Sequence, residues 1–309
     1  MDLKYNIPKY VAMARMSNKV RVLVEGKDDR GHVLNLLQKL YPKIRLKVDS
    51  AVEVAGDCAV TKLNNRAKIE KIHSQCKGGF HKSLFFLCDR EFRNFDVGSK
   101  IVDKLIHHER DGNLSWTLGH SIENYFLSSD LLGEGFRFLS TSGYKTQAVE
   151  IFCEVLPEAL RKIAALTLAA KELGCASYPA GQISWQKIQI MGGKLKLLRA
   201  EKLNDFELKY WSTYDQYLVI ATSTSDDVCA RVSRGHTAVL ILQRVFAAAL
   251  YKASAGIEEE SARYDANTFN NVSESNISSA LSEAWIRNVS VGAALYPKPL
   301  VESIQAASA

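Results

Sequence analysis

The feature that most constrains the fold is an uninterrupted apolar run at residues 83–88, Ser-Leu-Phe-Phe-Leu-Cys, which ends at Asp89-Arg90-Glu91. A run this short is typical of a strand that is covered on both faces, because a half-exposed strand would alternate apolar and polar residues. Such strands occur in parallel sheets, where helices cover both faces. The run therefore predicts the central strand of a mainly parallel sheet.

Short apolar segments alternate with helical patterns over the first 127 residues. The segments predicted as strands are residues 20–24, 46–52, 83–88 and 114–118. Helices are predicted after Gly26, over 59–73 and over 98–108, from the spacing of their apolar residues. This alternation predicts a doubly wound, Rossmann-like α/β domain at residues 1–127, with a parallel sheet of about four strands.

Residues 128–309 follow a different, mainly helical pattern. One helix is predicted to open at Pro157 and close at Gly174, and another to span 237–252 with a wide apolar face. The polar stretch 254–280 is predicted to be a loop. A basic stripe on a further predicted helix is interpreted as a solvated face, and its members are Lys194, Lys196, Arg199 and Lys202. The pattern therefore predicts a helical second domain at 128–309.

Positive charge is concentrated in the first of these two stretches. The net charge is +6, but residues 1–127 contain 22 Lys and Arg against 15 Asp and Glu, whereas residues 128–309 contain 18 against 19. Six of the seven histidines also lie in 1–127. The excess favours an anionic partner for this stretch.

The chain is expected to be a cytoplasmic protein without a membrane span. No apolar run reaches the ~18 residues of a membrane-spanning helix, and the N-terminal residues lack the pattern of a secretory signal. The six cysteines show no Cys-x-x-Cys pair and no zinc-ligand spacing. We expect them to be reduced thiols.

Acidic residues follow several of the predicted strands. Glu25 follows the first, Asp89 and Glu91 follow the third, and Glu123 comes after the fourth, two residues beyond Ser121. Ligands of open parallel sheets bind at the carboxyl ends of the strands. In extended chain, Asp89 and Glu91 would point the same way, as would Ser121 and Glu123. The set predicts a site for Mg²⁺ or Mn²⁺, which prefer oxygen ligands.

Taken one at a time, these acids are better explained as helix caps or surface residues, and Asp28 in particular as a helix N-cap. As a set at successive strand ends within a basic domain, they indicate metal-assisted phosphoryl transfer. Two other kinds of chemistry are disfavoured. The chain has no Gly-x-x-x-x-Gly-Lys-Ser/Thr phosphate loop and no Gly-x-Ser-x-Gly nucleophile motif.

Two stretches resemble the TOPRIM domain of topoisomerases, primases and OLD-type nucleases. They are residues 22–29, Val-Leu-Val-Glu-Gly-Lys-Asp-Asp, and residues 85–91, Phe-Phe-Leu-Cys-Asp-Arg-Glu. In that family a glutamate ends the first strand in a Glu-Gly-x-x-Asp turn, and an Asp-x-Asp pair ends the third. Glu91 stands here where the family has the second Asp. The resemblance implies a TOPRIM fold for the first domain.

Residues 120–125, His-Ser-Ile-Glu-Asn-Tyr, narrow the resemblance. They are similar to a TOPRIM branch with a Ser-Ile-Glu-Asn-Tyr motif, found in bacterial anti-phage systems beside a separate ATPase, including the effector nucleases of PARIS-type systems. The resemblance covers residues 20–127. Over 128–309 it rests on the helical pattern and on Arg234-Gly-His ahead of an apolar helix.

The resemblance implies a catalytic role and one bound metal ion for three acids, which are Glu25, Asp89 and Glu91. It implies that three further residues help to hold a second metal ion, which are Asp29, Ser121 and Glu123. The implied activity is Mg²⁺- or Mn²⁺-dependent endonuclease cleavage of phosphodiesters. The implied substrate is tRNA, whose loss halts translation and phage growth. The implied partner is an ATPase that restrains the nuclease until infection.

Three residues near the acids are candidates for contacts with substrate phosphate: Lys27, Arg90 and His120. A surface role explains Lys27 and Arg90 equally well, and a structural hydrogen bond is the more common role for a single histidine. The helix at 237–252 is better explained by core packing than as a homodimer or partner surface. Contacts with the substrate, with a second copy or with the ATPase are nevertheless expected somewhere within 128–309.

Two other functions stay open from the sequence. One is an OLD-type DNA nuclease, because the phosphate backbone attracts a basic protein to either polymer. The other is a non-catalytic subunit that docks on an ATPase, and Glu91 in place of Asp favours it.

Overall fold

A computed structural model describes residues 5–76, 82–105 and 107–308. The chain forms two compact units. The first comprises Met1–Arg90, Leu105–Ile122 and Ile286–Ala309, and the second comprises Glu91–Lys104 and Glu123–Trp285. Each unit contains segments from both sides of residue 127, so both units are discontinuous in sequence.

The protein is an α/β structure with a mainly parallel central sheet and a helical C-terminal region. The strands are β1 (Tyr5–Asn6), β2 (Val20–Val24), β3 (Leu46–Ser50), β4 (Val54–Ala55), β5 (Leu84–Cys88), β6 (Phe95–Val97), β7 (Ile101–Asp103), β8 (Arg110–Asp111), β9 (Leu114–Trp116), β10 (Ile188–Met191) and β11 (Lys194–Leu197). The helices are α1 (Ile7–Arg15), α2 (Lys27–Leu40), α3 (Ala59–Leu63), α4 (Asn65–Gln75), α5 (Ser129–Leu139), α6 (Lys145–Glu172), α7 (Tyr178–Gln182), α8 (Asp205–Thr222), α9 (Asp226–Val232), α10 (Gly235–Ser254), α11 (Glu259–Asn270), α12 (Glu274–Ser290) and α13 (Lys298–Ser308).

The first unit is built on a five-stranded sheet in the order β3-β2-β5-β9-β8. The first four of these strands are parallel, and β8 pairs antiparallel with β9 at the edge. The chain runs from β2 to β3 on one side, then returns to the other side of β2 to form β5 and β9. The direction of winding therefore reverses between β2 and β5, which is the place where doubly wound sheets bind ligands.

Helices cover both faces of this sheet. Leu23, Phe86 and Trp116 belong to one buried cluster with residues of α1 and α4. Because side chains alternate along a strand, Phe85 and Leu87 point to the opposite face, where α13 contacts β5. All five residues of β5 are buried, as predicted for a central strand.

The predicted strands and the helix after Gly26 are confirmed in this unit, with small shifts of their ends. The helix predicted over 59–73 is divided into α3 and α4, because Asn64 has an extended backbone and its side chain caps α4 by accepting the Ala67 N–H at 2.9 Å.

The helix predicted over 98–108 is wrong. Residues 95–103 form the antiparallel hairpin β6–β7 in the second unit, and Ile106 of that stretch lies outside the described residues. Ile101 is buried whereas Val102 is 41% exposed, which fits the two-residue alternation of a strand. The Ile101 N–H donates to Thr224 Oγ1 at 2.9 Å, a contact with α8's C-terminal loop that sequence periodicity does not reveal.

The second unit is organised around two long helices, α6 and α10. Helix α6 packs against α8, α9 and α10, and α10 packs against α11. Four phenylalanine rings meet between these elements and α5, with centroids 4.7–5.7 Å apart: Phe136, Phe152, Phe246 and Phe269. The predicted helix at 237–252 is confirmed as α10, and most of its residues are buried in the core.

Three predictions for residues 128–309 are wrong in detail. Pro157 lies inside α6 instead of opening it, because buried residues such as Phe152 extend the helical pattern before the proline. The basic stripe lies on the hairpin β10–β11 and the segment that follows, not on a helix. The polar stretch 254–280 contains α11 and the start of α12, since Ala262, Ala266 and Phe269 give it a narrow buried stripe.

Two further expectations can be compared with the described residues. All six cysteines are free, as predicted for reduced thiols. No helix within the described ranges is long and apolar enough to cross a membrane.

Candidate functional site

Two of the predicted acids meet where the winding of the sheet reverses. Glu25 directly follows β2 and Asp89 directly follows β5, and these are neighbouring parallel strands. The Asp89 backbone N–H donates to Glu25 Oε1 at 2.9 Å. Both side chains are partly exposed at the carboxyl edge. The structure therefore brings Glu25 and Asp89 together at the usual ligand-binding position of such a sheet.

The turn after β2 is closed by Asp29. Gly26 is the N-cap of α2, and its N–H donates to Asp29 Oδ2 at 2.6 Å. A Cβ atom on Gly26 would lie 2.9 Å from that oxygen, so a larger residue would force the carboxylate to move. Asp28 is exposed and is not the cap, contrary to the interpretation of the sequence. The Glu-Gly-x-x-Asp spacing thus has a local structural role, with a carboxylate at the positive end of α2.

Lys27 begins α2 and is exposed beside this turn. An exposed cation at a helix N-terminus adds to the positive potential of that end. Lys27 is therefore accessible to an anionic group, and its contact with substrate phosphate stays a prediction.

Arg90 is 1% exposed and lies inside the first unit. Its backbone N–H donates to Thr117 Oγ1 at 2.9 Å, and its guanidinium donates to the Leu118 carbonyl at 2.7 Å. Thr117 Oγ1 in turn donates to the Gly119 carbonyl at 2.8 Å. Arg90 and Thr117 therefore tie the loop after β5 to the loop after β9. Arg90 acts here as a positioning residue and does not face solvent.

The role of Thr117 could not be predicted from the sequence, because a threonine near a strand end has no distinctive pattern. Its role depends on the parallel pairing of β5 with β9, which also places the Thr117 N–H 3.0 Å from the Cys88 carbonyl. In the sequence, Thr117 stands out only by its position near the end of the fourth predicted strand, residues 114–118.

Glu91 does not continue the extended strand. Its φ is +52°, in the left-handed region, and Asn94 has a φ of +58°. The two-residue alternation assumed for Asp89 and Glu91 is therefore wrong, because β5 ends at Cys88. Glu91 is exposed and is the first residue of the second unit.

The assumed alternation of Ser121 and Glu123 is wrong for the same reason. Strand β9 ends at Trp116, and Ile122–Phe126 form a short 3₁₀ helix. His120 and Ser121 are 9% and 7% exposed and lie in the first unit, whereas Glu123 is half-buried and begins the second unit's next segment.

The remaining residues of the Ser-Ile-Glu-Asn-Tyr motif make packing contacts in the second unit. The Asn124 amide donates to the Ala230 carbonyl at 2.6 Å and to the Ser233 carbonyl at 2.9 Å. The Tyr125 ring stacks on Trp285 with 5.8 Å between the centroids. Asn124 and Tyr125 therefore anchor the 3₁₀ segment within that unit.

Cys88, the last residue of β5, lies near several carboxylates. Burial is the main cause that raises the pKa of the Cys88 thiol well above its usual value, and the charges of Glu25, Glu70 and Asp89 raise it further. Cys88 is therefore a protonated thiol at neutral pH and not a nucleophile. The same negative charge favours a cation beside Glu25 and Asp89.

The chemistry of these two side chains fits a hard divalent cation, which takes carboxylate oxygens as ligands. Within the described parts of the chain, no group of three or more His, Cys, Asp and Glu side chains is arranged to hold a metal ion. Glu25 and Asp89 are thus the part of the predicted ligand set that the first unit assembles. The roles predicted for Asp29, Glu91, Ser121 and Glu123 as ligands stay predictions.

Comparison with known proteins adds no family assignment to this geometry. No family model matches the chain, and no curated protein matches it.

Proposed function

We propose that this protein is a metal-dependent endonuclease. The observation that supports the proposal best is the hydrogen bond from the Asp89 N–H to Glu25 Oε1, which joins two carboxylate residues at the reversal point of a parallel sheet. A polyanionic substrate suits the excess of Lys and Arg over Asp and Glu in residues 1–127.

In this proposal Glu25 and Asp89 hold Mg²⁺ or Mn²⁺. A bound ion of this kind would activate water and stabilise the charge on the attacking and leaving oxygens of a phosphodiester. Lys27, exposed at the start of α2, contacts a substrate phosphate. Arg90 keeps Asp89 in place, because both its backbone and its guanidinium are hydrogen-bonded to the loop after β9.

The choice of substrate and biological role depends on the resemblance of residues 20–127 to the TOPRIM branch of anti-phage effectors. On that basis we propose that the substrate is tRNA. The protein would then be the toxic, cytoplasmic effector of an abortive-infection system, restrained by a companion ATPase. A DNA nuclease of the OLD type is the alternative. It would differ from a tRNA nuclease in its substrate but would use the same pair of carboxylates.

The test is cleavage of labelled tRNA and of duplex DNA by the purified chain, with Mg²⁺, with Mn²⁺ and with EDTA. Glu25→Gln keeps an oxygen that can accept the Asp89 N–H but removes the charge. We expect Glu25→Gln and Asp89→Asn each to lower tRNA cleavage by about a hundredfold or more, the scale of losing one charge-stabilising group. Asp28→Asn is the matched control, because Asp28 is an exposed acid on the same turn.

Three outcomes would contradict the proposal or part of it. Cleavage that persists in EDTA or in the Glu25→Gln variant would contradict the proposal that a metal ion held by Glu25 and Asp89 is required. Cleavage of DNA in preference to tRNA would contradict the proposed tRNA substrate and would favour a DNA nuclease of the OLD type. Absence of cleavage of both polymers, together with stable binding of the chain to a companion ATPase, would favour a non-catalytic docking subunit.

A further inference from the structure

The hairpin β10–β11 in the second unit has one apolar and one basic face. Its buried side chains are Ile188, Ile190 and Leu195. Its exposed side chains are Gln189, Met191, Lys194 and Lys196, which alternate with the buried ones. The pairing of Gln189 with Lys196 and of Met191 with Lys194 places these four on one side of the ribbon. The hairpin therefore presents lysines on an exposed surface.

The hairpin is held firmly by its turn and by α6. Gly192 and Gly193 have φ values of +54° and +71°, the left-handed conformation that a tight two-residue hairpin turn requires. The Leu195 N–H donates to Glu158 Oε2 of α6 at 2.7 Å. Rigid placement matters because charges on a fixed ribbon lose little conformational freedom when they bind a partner.

Lys194 and Lys196 have no charge partner among the residues that the structure describes. Residues 186–203 contain five Lys and Arg but one acidic residue, Glu201. Lys194 and Lys196 form no ion pair with any residue in the described part of the chain. Their Cα atoms are about 6.8 Å apart on the same face of a strand, so their like charges repel. An external row of negative charges would relieve that repulsion.

A cavity adjoins the ribbon. It has a volume of about 500 Å³ and is lined by the cations Lys162, Lys196 and Arg199, by Tyr214, and by leucines that include Leu195. Two of these cations, Lys162 and Arg199, form ion pairs with acidic residues of the same unit. Lys162 pairs with Glu158 at 3.0 Å, and Arg199 pairs with Asp215.

The Arg199 guanidinium also lies 4.8 Å from the centroid of the Trp211 ring, in a cation–π contact. Arg199 is therefore oriented by Trp211 and Asp215 together. Lys196 belongs both to the lining of the cavity and to the exposed face of the ribbon, so the two adjoin at this lysine. We call Lys194, Lys196, Arg199 and Lys202 with this cavity the ribbon surface.

We propose that the ribbon surface binds the phosphodiester backbone of a nucleic acid. Two lysines held about 6.8 Å apart on a fixed ribbon suit the regularly repeated phosphates of one strand, whereas the carboxylates of an acidic protein have no fixed spacing. The binding is independent of base sequence and depends strongly on salt. The use of tRNA as the probe rests on the proposed function, but the charge and geometry of the surface do not.

The test is binding of fluorescent tRNA to the full chain in EDTA, measured by anisotropy over a series of salt concentrations. The variant is Lys194→Glu with Lys196→Glu. The matched control is Lys209→Glu with Lys252→Glu, which reverses two other exposed lysines of the same unit. Lys194→Gln with Lys196→Gln is a second variant that removes the charges without adding negative ones. Circular dichroism checks that all variants are folded.

We expect the Glu variant to weaken tRNA binding at least tenfold at moderate salt, the Gln variant to weaken it less, and the control to change it less than twofold. For two lost phosphate contacts, the slope of log K against log salt becomes shallower by about 1.4–1.8, the lower value for single strands and the higher for duplex. Equal losses in the variant and the control, or an unchanged slope, would overturn the proposal. Competition by poly-glutamate as effective as that by tRNA would assign the surface to an acidic protein and also overturn it.

The two proposals fail separately. Ribbon-dependent binding of tRNA in EDTA without any cleavage in Mg²⁺ would contradict the proposed nuclease and support the ribbon surface. Metal-dependent cleavage with ribbon variants that bind tRNA like the unmodified chain would support the nuclease and remove the ribbon surface.

Discussion

A buried polar network in the first unit and a cluster of aromatic rings in the second allow two kinds of core contact to be compared. In the first unit, Asp49 of β3 is buried and accepts hydrogen bonds from Arg21 Nη1 at 2.6 Å and from the Tyr10 hydroxyl at 3.1 Å. In the second unit the core between α6 and α10 is a cluster of aromatic rings. Directional polar contacts tolerate little change of chemistry, whereas ring packing tolerates little change of volume. The two units should therefore respond to different substitutions.

The largest expected effect on stability tests the aromatic core. Phe246 is fully buried, and its ring centroid lies 4.7 Å from that of Phe269 and 5.4 Å from that of Phe136. We expect Phe246→Ala to lower the free energy of unfolding by about 3–5 kcal/mol, because it removes apolar contacts and leaves a cavity. Urea denaturation, with hydrogen exchange over α6 and α10, measures the loss.

Phe138→Ala is the control for this prediction. Phe138 lies on α5 in the same unit but is 79% exposed. Its replacement should change the free energy of unfolding by less than about 0.5 kcal/mol. If Phe138→Ala and Phe246→Ala lower the free energy of unfolding by similar amounts, the packing of buried rings is not what stabilises the second unit.

A smaller effect is expected from the polar network of the first unit. Asp49→Asn keeps the shape of the side chain but leaves the buried Arg21 cation without a negative partner. We expect a loss of about 1.5–3 kcal/mol in the free energy of unfolding, the scale of hydrogen bonds to charged groups. Hydrogen exchange of the β2 and β3 amides should show the loss locally.

Glu53→Gln provides the comparison, because Glu53 pairs with Arg30 at 3.0 Å but both side chains are 30% exposed or more. A surface pair of this kind contributes about 0–1 kcal/mol. If Glu53→Gln lowers the free energy of unfolding as much as Asp49→Asn does, the burial of the Asp49 network is not the cause of its contribution to stability.

Much of the first unit could be predicted because its signals are local. The apolar run at 84–88 is long enough for one buried strand, and the end of that strand places Asp89 at an edge of the sheet. Adjacency of Glu25 and Asp89 followed from the rule that the carboxyl ends of parallel strands share one edge. The burial of Arg90 could not be predicted, since it depends on the Leu118 carbonyl, which the folded loop after β9 supplies.

The errors arose where a short pattern suits both helix and strand. Lys194 and Lys196 belong to a stretch whose lysines could follow a helical stripe, but Gly192 and Gly193 turn the chain back and make it a hairpin. Pro157 is tolerated inside α6 because apolar packing on both sides of it maintains the helix. At Pro157 the tertiary contacts of the second unit outweigh local preference, whereas at residues 188–197 the Gly-Gly pair is itself a local signal for a hairpin turn.

The smallest expected effect concerns the reactivity of cysteine thiols in the folded protein. Cys58 is exposed and its Sγ lies 3.3 Å from the Thr61 hydroxyl, whose hydrogen bond is the main cause that lowers the pKa of the thiol. Burial raises the pKa of Cys229 in the second unit to about 12. Because the thiolate is the reactive form, a lower pKa gives more thiolate at pH 8 and a higher pKa gives less.

We therefore expect iodoacetamide to modify Cys58 first and Cys229 last, together with Cys88, in a time course followed by mass spectrometry of peptides. Thr61→Val removes the hydroxyl and should slow the modification of Cys58 severalfold while leaving the other thiols unchanged. If Cys229 reacts as fast as Cys58, the core around α9 opens on the time scale of the reaction. The second unit would then be less tightly packed than its ring contacts imply, because a buried thiol can react only when its cover moves away.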